Sequence, residues 1–121
     1  MLSKPRSFRK PRVSVIIPNW NGQQFLQTCL PSLKKQTFGN FEVVVVDNGS
    51  VDGSVEYIHQ FFPQFKVIEL EKNMGFAKAV NLGIKNSVGK YVVLINNDTR
   101  VDRNCLYYLV KAADQHPEVG M

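Results

Sequence analysis

No stretch of the 121 residues approaches the about 20 consecutive apolar positions that a membrane-spanning helix needs. The longest apolar runs, Val43–Val46 and Tyr91–Ile95, are strand-sized. Val13–Ile17 is cut off by Pro18, Asn19 and Asn21, so a signal-peptide layout is missing as well, and the chain is expected in the cytoplasm. Cysteine is nearly absent. Cys29 and Cys105 lie far apart and without ligand spacing, which excludes a zinc site and a disulfide framework. Both fall beside leucines in helical patterns and are expected to be buried free thiols. GxGxxG is absent, and so is GxxxxGK[ST], which removes the dinucleotide fingerprint and the phosphate loop. His59 and His116 fall on or at the ends of helical patterns and are expected to be solvated, so no Ser–His–Asp arrangement is credible.

A sustained excess of charge is missing too. The net charge of +5 looks like a nucleic-acid footprint, but residues 1–12 carry Lys4, Arg6, Arg9, Lys10 and Arg12 and no acid. Removing those five from the fifteen basic residues leaves ten, matched by ten acids. A nucleic-acid binder needs at least a basic groove, so no nucleic-acid partner is expected. Residues 1–11, with two prolines and few apolar side chains, are expected to be a disordered arm. A solvated arm with no partner is the favoured expectation; the alternative is weak, peripheral contact at the inner membrane face, since such charges favour anionic lipid by about 1 kcal/mol each near the surface. The rest is one globular domain: 44% hydrophobic and 21% charged residues exclude disorder, collagen and coiled coil.

What is present is an alternation. Arg12–Pro18 is a short β-branched run. Gln23–Lys35 places Leu26, Cys29, Leu30 and Leu33 on one helical face. Phe41–Asp47 is an apolar run without polar alternation. Asp52–Phe62 is a helix with Val55, Ile58 and Phe62 inward, opened by Asp52 as N-cap and closed before Pro63. Phe65–Leu70 is a third strand. Gly75–Asn86 is a helix with Phe76, Ala79, Val80 and Gly83 on one face. Lys90–Asn96 is a fourth strand, and Asp102–Gln115 a last helix with Leu106, Leu109, Val110 and Ala113 inward. Solidly apolar strands alternating with helices predict an α/β fold, a three-layer Rossmann-like sandwich on a mostly parallel sheet.

Ligands of such sheets sit outside the carboxyl ends of the strands. The segments there are rich in glycine, amides and carboxylates: Asn19, Trp20, Asn21 and Gly22; Asp47, Asn48, Gly49 and Ser50; Asn73, Met74 and Gly75; Asn96, Asn97 and Asp98. Each admits two readings. Asp47 can accept a hydrogen bond from a nucleotide base, or simply cap a turn, since Asn48–Gly49 is a hairpin signal. Asp98 can hold a hard cation alongside substrate phosphates, or serve as a helix cap. Gly75 can open the backbone to phosphate at a helix start, or be a loop glycine.

In their order, VSVIIPNWNG, FEVVVVDNGSVDGS, NMGFAKAVNLGI and GKYVVLINNDT resemble the amino-terminal half of a family 2 glycosyltransferase of GT-A fold, over residues 12–121. The resemblance implies nucleotide-sugar contacts at Pro18, Asn19, Asn21, Asp47, Gly49, Asn73, Gly75, Ala79, Asn81, Asn97 and Asp98, with Asp47 on the base. It places the family's Asp-x-Asp metal motif on Asn96-Asn97-Asp98, so that Asp98 alone supplies a charged ligand to Mn²⁺ or Mg²⁺. That Asn-Asn-Asp form resembles rhamnosyltransferase-like members. The arginine often found in the third helix is Val80 here. The implied activity is transfer of a sugar, with inversion, from a UDP- or dTDP-sugar to a saccharide or lipid-linked acceptor, in cell-envelope polysaccharide synthesis. No catalytic residue is expected in this chain: the general base and acceptor half are expected beyond Met121, and Glu118–Met121 looks like the start of a further strand. The chain is accordingly expected to be inactive alone.

Two other readings of the residues differ in class. A non-catalytic Rossmann-like nucleotide-binding or interaction module is favoured by Asn96. A receiver-like domain would want acids after the first strand, where Asn19 and Asn21 stand. Finally, Tyr91–Asn96 is expected to form an uncovered sheet edge through which the chain dimerises.

Overall fold

The computed structural model describes residues 10–116. Nine residues of the expected arm, and the strand expected at Glu118–Met121, lie outside them. The elements alternate as β1 (Val13–Asn19), α1 (Gln23–Lys34), β2 (Phe41–Asp47), α2 (Ser54–Phe61), β3 (Lys66–Glu69), α3 (Phe76–Lys85), β4 (Tyr91–Leu94) and α4 (Cys105–Gln115). All eight expected elements form. The sheet order is β3-β2-β1-β4 and every pairing is parallel, with Ile16 opposite both Val44 and Leu94.

Burial on both faces explains why β1 and β2 are apolar without alternation. Val13, Val15 and Ile17 pack with Val43 and Val45 against α1, α2 and α4, while Ile16, Val44 and Val46 face Ala79 of α3. The chain steps from β1 to β2 to β3 in one direction, and right-handed crossovers put α1 and α2 on one face. The return to β4 runs the other way, so α3 covers the opposite face. Leu26, Cys29, Leu30 and Leu33 of α1 are fully buried, as their spacing predicts. On α3 the expectation is corrected: Ala79 and Gly83 are buried, but Phe76 points outward and is 57% exposed. The helix lies flush on the sheet because Gly83 lacks a side chain; a Cβ there would stand 2.5 Å from Ile16 Cγ2. Cys29 is buried, whereas Cys105 is only half-buried, since it starts α4 at the edge of the core.

Pro18 sits inside β1 without cost to the ladder. The Ile16 carbonyl accepts the Ile95 N–H, so residues 16 and 18 turn their polar groups toward β4. Pairing with β4 ends at Ile16–Leu94, and the missing Pro18 N–H falls just past it.

The amino-terminal edge of the sheet is held by charge. Glu42 accepts from Ser14 Oγ at 2.5 Å and from the Val88 N–H at 2.8 Å, and pairs with Lys66 at 2.9 Å. Burial opposes ionisation of Glu42, but those donors outweigh it and hold its carboxyl below the usual range. Arg12, grouped with the basic arm by charge, belongs to the fold: it meets Asp114 at 2.6 Å, and its carbonyl accepts the Tyr91 N–H. His59 is exposed, 3.8 Å from Glu69. No helix among the described residues is long and apolar enough to cross a membrane.

Candidate functional site

The crevice of a doubly wound sheet opens where the strand order reverses, here between β1 and β4 at their carboxyl ends. Asn19, the last residue of β1, is 2% exposed and occupies that point. Its Nδ2 donates to Asp47 Oδ1 at 3.0 Å and to Ser50 Oγ at 3.4 Å. Its Oδ1 accepts from Asn97 Nδ2 at 2.9 Å. The amide orientation is dictated by its neighbour, because a carboxylate can only accept. One buried side chain therefore links the ends of β1 and β2 to the turn after β4.

Asp47 is held from three sides. Besides Asn19, it accepts from Ser50 N–H at 2.8 Å and from Ser50 Oγ at 2.7 Å. Ser50 Oγ in turn accepts from the Asn21 N–H at 2.8 Å, and Asn21 Oδ1 accepts from the Val51 N–H at 2.8 Å. The Asn48–Gly49 pair is not a hairpin: the chain goes on into α2. Gly49 has φ +81°, and a Cβ on it would lie 2.7 Å from Lys72 Cα, so both conformation and space require glycine.

Asn48 extends the network to the third loop. Its Oδ1 accepts from the Met74 N–H at 2.8 Å and its Nδ2 donates to the Gly75 carbonyl at 3.1 Å. Asn73 Oδ1 accepts from the Gly75 N–H at 2.8 Å. Gly75 has φ +92° and nothing within 4 Å of where a Cβ would be, an open stretch of backbone before α3. Asp52 is not the N-cap expected of it: the cap position of α2 is Gly53, and Asp52 stands one residue before it. It accepts from Ser54 N–H at 3.0 Å and Ser54 Oγ at 2.5 Å, and also from the Gln23 N–H at 3.0 Å at the start of α1. Burial works against its charge, yet these donors hold its carboxyl below the usual range. Helix α2 itself begins at Ser54, two residues later than expected, because Gly53 takes φ +90°.

Asp98 is exposed, and its carboxylate receives no hydrogen bond from the described residues. The Cys29 thiol beneath donates to the Asn96 carbonyl at 4.0 Å, and its ionisation is pushed up to about 11 by burial, then by the charge of Asp98. Among the described residues no three His, Cys, Asp or Glu side chains converge on a metal position. A lone carboxylate free of protein donors fits a cation that takes its remaining oxygens from phosphate and water.

Asn19, Asn21, Asp47, Asn73, Gly75 and Asn97 are thus joined by hydrogen bonds directly or through Asn48 or Ser50, and Gly49 lies between those two in the chain, packed against Lys72. Pro18 lies half-buried beneath them and Asp98 beside them. Ala79 and Asn81 are not brought in: Ala79 is fully buried against the sheet, and Asn81 is exposed on α3 without a bond to the rim. Three contributors stand outside the residues that the sequence resemblance nominates. Asn48 and Ser50 share the segment after β2 and were legible there as polar neighbours. Gly22 was legible only as part of the segment after β1, and nothing local shows why it must be glycine: a Cβ on it would collide with Asn97 Nδ2 and stand 2.5 Å from Asn19 Oδ1. Trp20, 56% exposed, flanks the same rim. Amides, backbone groups and one free carboxylate, without a nucleophile paired to a base, make a binding and orienting surface.

A family model described as Glycosyl transferase family 2 matches residues 14–121. The glycosyltransferase GlyG of Streptococcus pneumoniae serotype 4 is 33% identical over 114 residues, covering 89% of this chain and 38% of that protein. S. aureus TarS 1-349 in complex with UDP-GlcNAc superposes with TM-score 0.82 at 32% identity, over 88% of this chain and 32% of that one. The mannosyltransferase PcManGT of Pyrobaculum calidifontis, in complex with GDP-Man and Mn²⁺, gives TM-score 0.76 at 29% identity, over 91% and 34%. The chain spans about a third of the length of these relatives.

Proposed function

This chain belongs to glycosyl transferase family 2, and from that premise we propose that it forms the donor-binding half of an enzyme that moves a sugar from a nucleoside diphosphate to an acceptor hydroxyl. The carrying observation is the Asn19 amide, which gathers Asp47, Ser50 and Asn97 at the strand-order reversal. The relatives bound to UDP-GlcNAc and to GDP-Man support a nucleotide-sugar donor. Asp47 and the segment around it orient the base, and the open backbone at Gly75 lets the diphosphate approach the N–H groups at the start of α3. Asp98 would hold Mn²⁺ or Mg²⁺, a choice that the Mn²⁺ complex of the mannosyltransferase supports. Such a cation neutralises charge on the leaving diphosphate. Direct displacement inverts the anomeric carbon, and the base that takes the acceptor proton is supplied from outside the described residues. The acceptor is a saccharide or a lipid-linked one, and the basic arm separately makes weak contact with the inner membrane face.

Calorimetric titration with UDP and dTDP tests this. Binding is expected to be weak and to tighten with Mn²⁺ or Mg²⁺; Asp98→Ala removes the metal effect, and Asp47→Ala removes the preference between bases. Absence of heat for every nucleoside diphosphate in the presence of metal overturns the proposal. Asn96, in place of an acid, favours a second reading as a non-catalytic nucleotide-binding module, which metal-independent binding would select.

A further inference from the structure

A concavity of about 700 Å³ runs along the flank of the molecule, between α1 and residues 100–103, which precede α4. None of the rim residues lines it. Its walls are cross-linked: Ser32 Oγ accepts the Val101 N–H at 2.9 Å, and Gln36 Nε2 donates to the Asp102 carbonyl at 2.6 Å. The groove is therefore preformed. Lys35, Arg100 and Arg103 converge on it, and none of the three side chains has an ion pair or hydrogen bond among the described residues. Arg12 and Lys66, by contrast, are paired with Asp114 and Glu42. Gln27 and Thr28 add uncharged donors. Asp102 is the one acid of the lining, and its Oδ1 is already committed to the Asn104 N–H at 2.9 Å.

Unpaired guanidinium forks with hydroxyl and amide donors suit tetrahedral phosphate oxygens, which they bind bidentately. From Gln27 to Lys35 the groove extends about 12 Å along α1, more than a single phosphate fills. Pro31 and Val101 are its apolar lining, and Val101 is buried, so it offers little to a lipid surface. We propose that this groove is an anion subsite for a phosphate-bearing soluble chain other than the donor nucleotide. The proposal does not depend on the rim binding a nucleotide.

Inorganic tripolyphosphate is the probe, titrated calorimetrically into the full chain. Wild type binds it, more tightly in low salt than at about 0.3 M, where screening shortens to a few ångströms. Arg100→Ala/Arg103→Ala weakens binding by about tenfold or more, the worth of one charge-assisted hydrogen bond. Asp102→Asn, which keeps the oxygen that accepts Asn104, tightens it several-fold. Both variants keep the wild-type unfolding midpoint, and saturating UDP leaves the binding unchanged. Equal affinity in the double variant, no binding at all, competition with UDP, or loss in the double variant of vesicle binding alone would each overturn the proposal.

Discussion

Replacing Asn19 by aspartate keeps shape and volume and changes one atom's chemistry. The new oxygen faces Asp47 Oδ1 at the 3.0 Å now spanned by the amide hydrogen bond, with both residues 2% exposed. Two ionised carboxylates about 4 Å apart repel by about 4 kcal/mol at an effective dielectric constant near 20. The folded protein avoids this by taking up a proton, which restores a donor between the two side chains. Protonating a carboxylate of ordinary pKa near 3.9 costs about 1.4 kcal/mol per pH unit above it, hence about 4 kcal/mol at pH 7 and about 1.5 kcal/mol at pH 5. Folding then binds a proton that the unfolded chain lacks, so the deficit grows as pH rises through this window and shrinks as it falls. Against a total stability of the order of 5–15 kcal/mol, the effect at pH 7 is large. Urea unfolding of wild type and variant, followed by far-UV circular dichroism at pH 5 and pH 7, measures it. The difference between the proteins should narrow by about 2–3 kcal/mol on going to pH 5, the value set by two pH units. A difference that stays constant, or widens in acid, refutes the hydrogen bond on which the rim is built.

Gly22→Ala should destabilise by about 1–3 kcal/mol, the usual cost of overpacking, and should weaken UDP binding more than a surface Gly→Ala control, because the methyl displaces Asn97 from Asn19; melting and titration read both. Glu42 is held below its ordinary value of 4.5, so its contribution is complete above that pH and is lost as pH falls through the lower folded value. Glu42→Gln should therefore lower the urea midpoint at pH 6, and the gap between variant and wild type should shrink as the pH falls below 4.5. Among the described residues the outer edge of β4 has no partner strand, and Leu94 on it is 46% exposed, so sedimentation should reveal concentration-dependent self-association that Leu94→Lys abolishes. A monomer at every concentration for wild type would show that the edge is covered otherwise.

The order and type of the elements were legible because they rest on local patterns. Runs such as Phe41–Asp47 and the spacing of Leu26, Cys29, Leu30 and Leu33 state their own burial, and a parallel sheet follows from strands apolar on both sides. The strand ends, too, announced themselves as places where amides and carboxylates collect. Element boundaries shifted where a glycine or a partner strand decides the matter: Gly53 delays α2, and β4 stops at Leu94 where its pairing with β1 ends. The residues within the rim were less legible. Ala79 and Phe76 belong to one helical face by spacing, yet the sheet accepts only the small one and leaves the ring outside.

By itself, the sequence determined the alternation, the parallel sheet, and the four segments that meet at its carboxyl edge. The tertiary structure alone decided which atoms in those segments touch. Asn19 reaches Asp47 across 28 residues and Asn97 across 78, and Gly22 matters only because those two amides pass over it. Periodicity is a property of neighbours along the chain, and it carries no information about such distances. A hydrogen bond between strand ends exists only once the sheet has set their register, so its partners are a consequence of the fold.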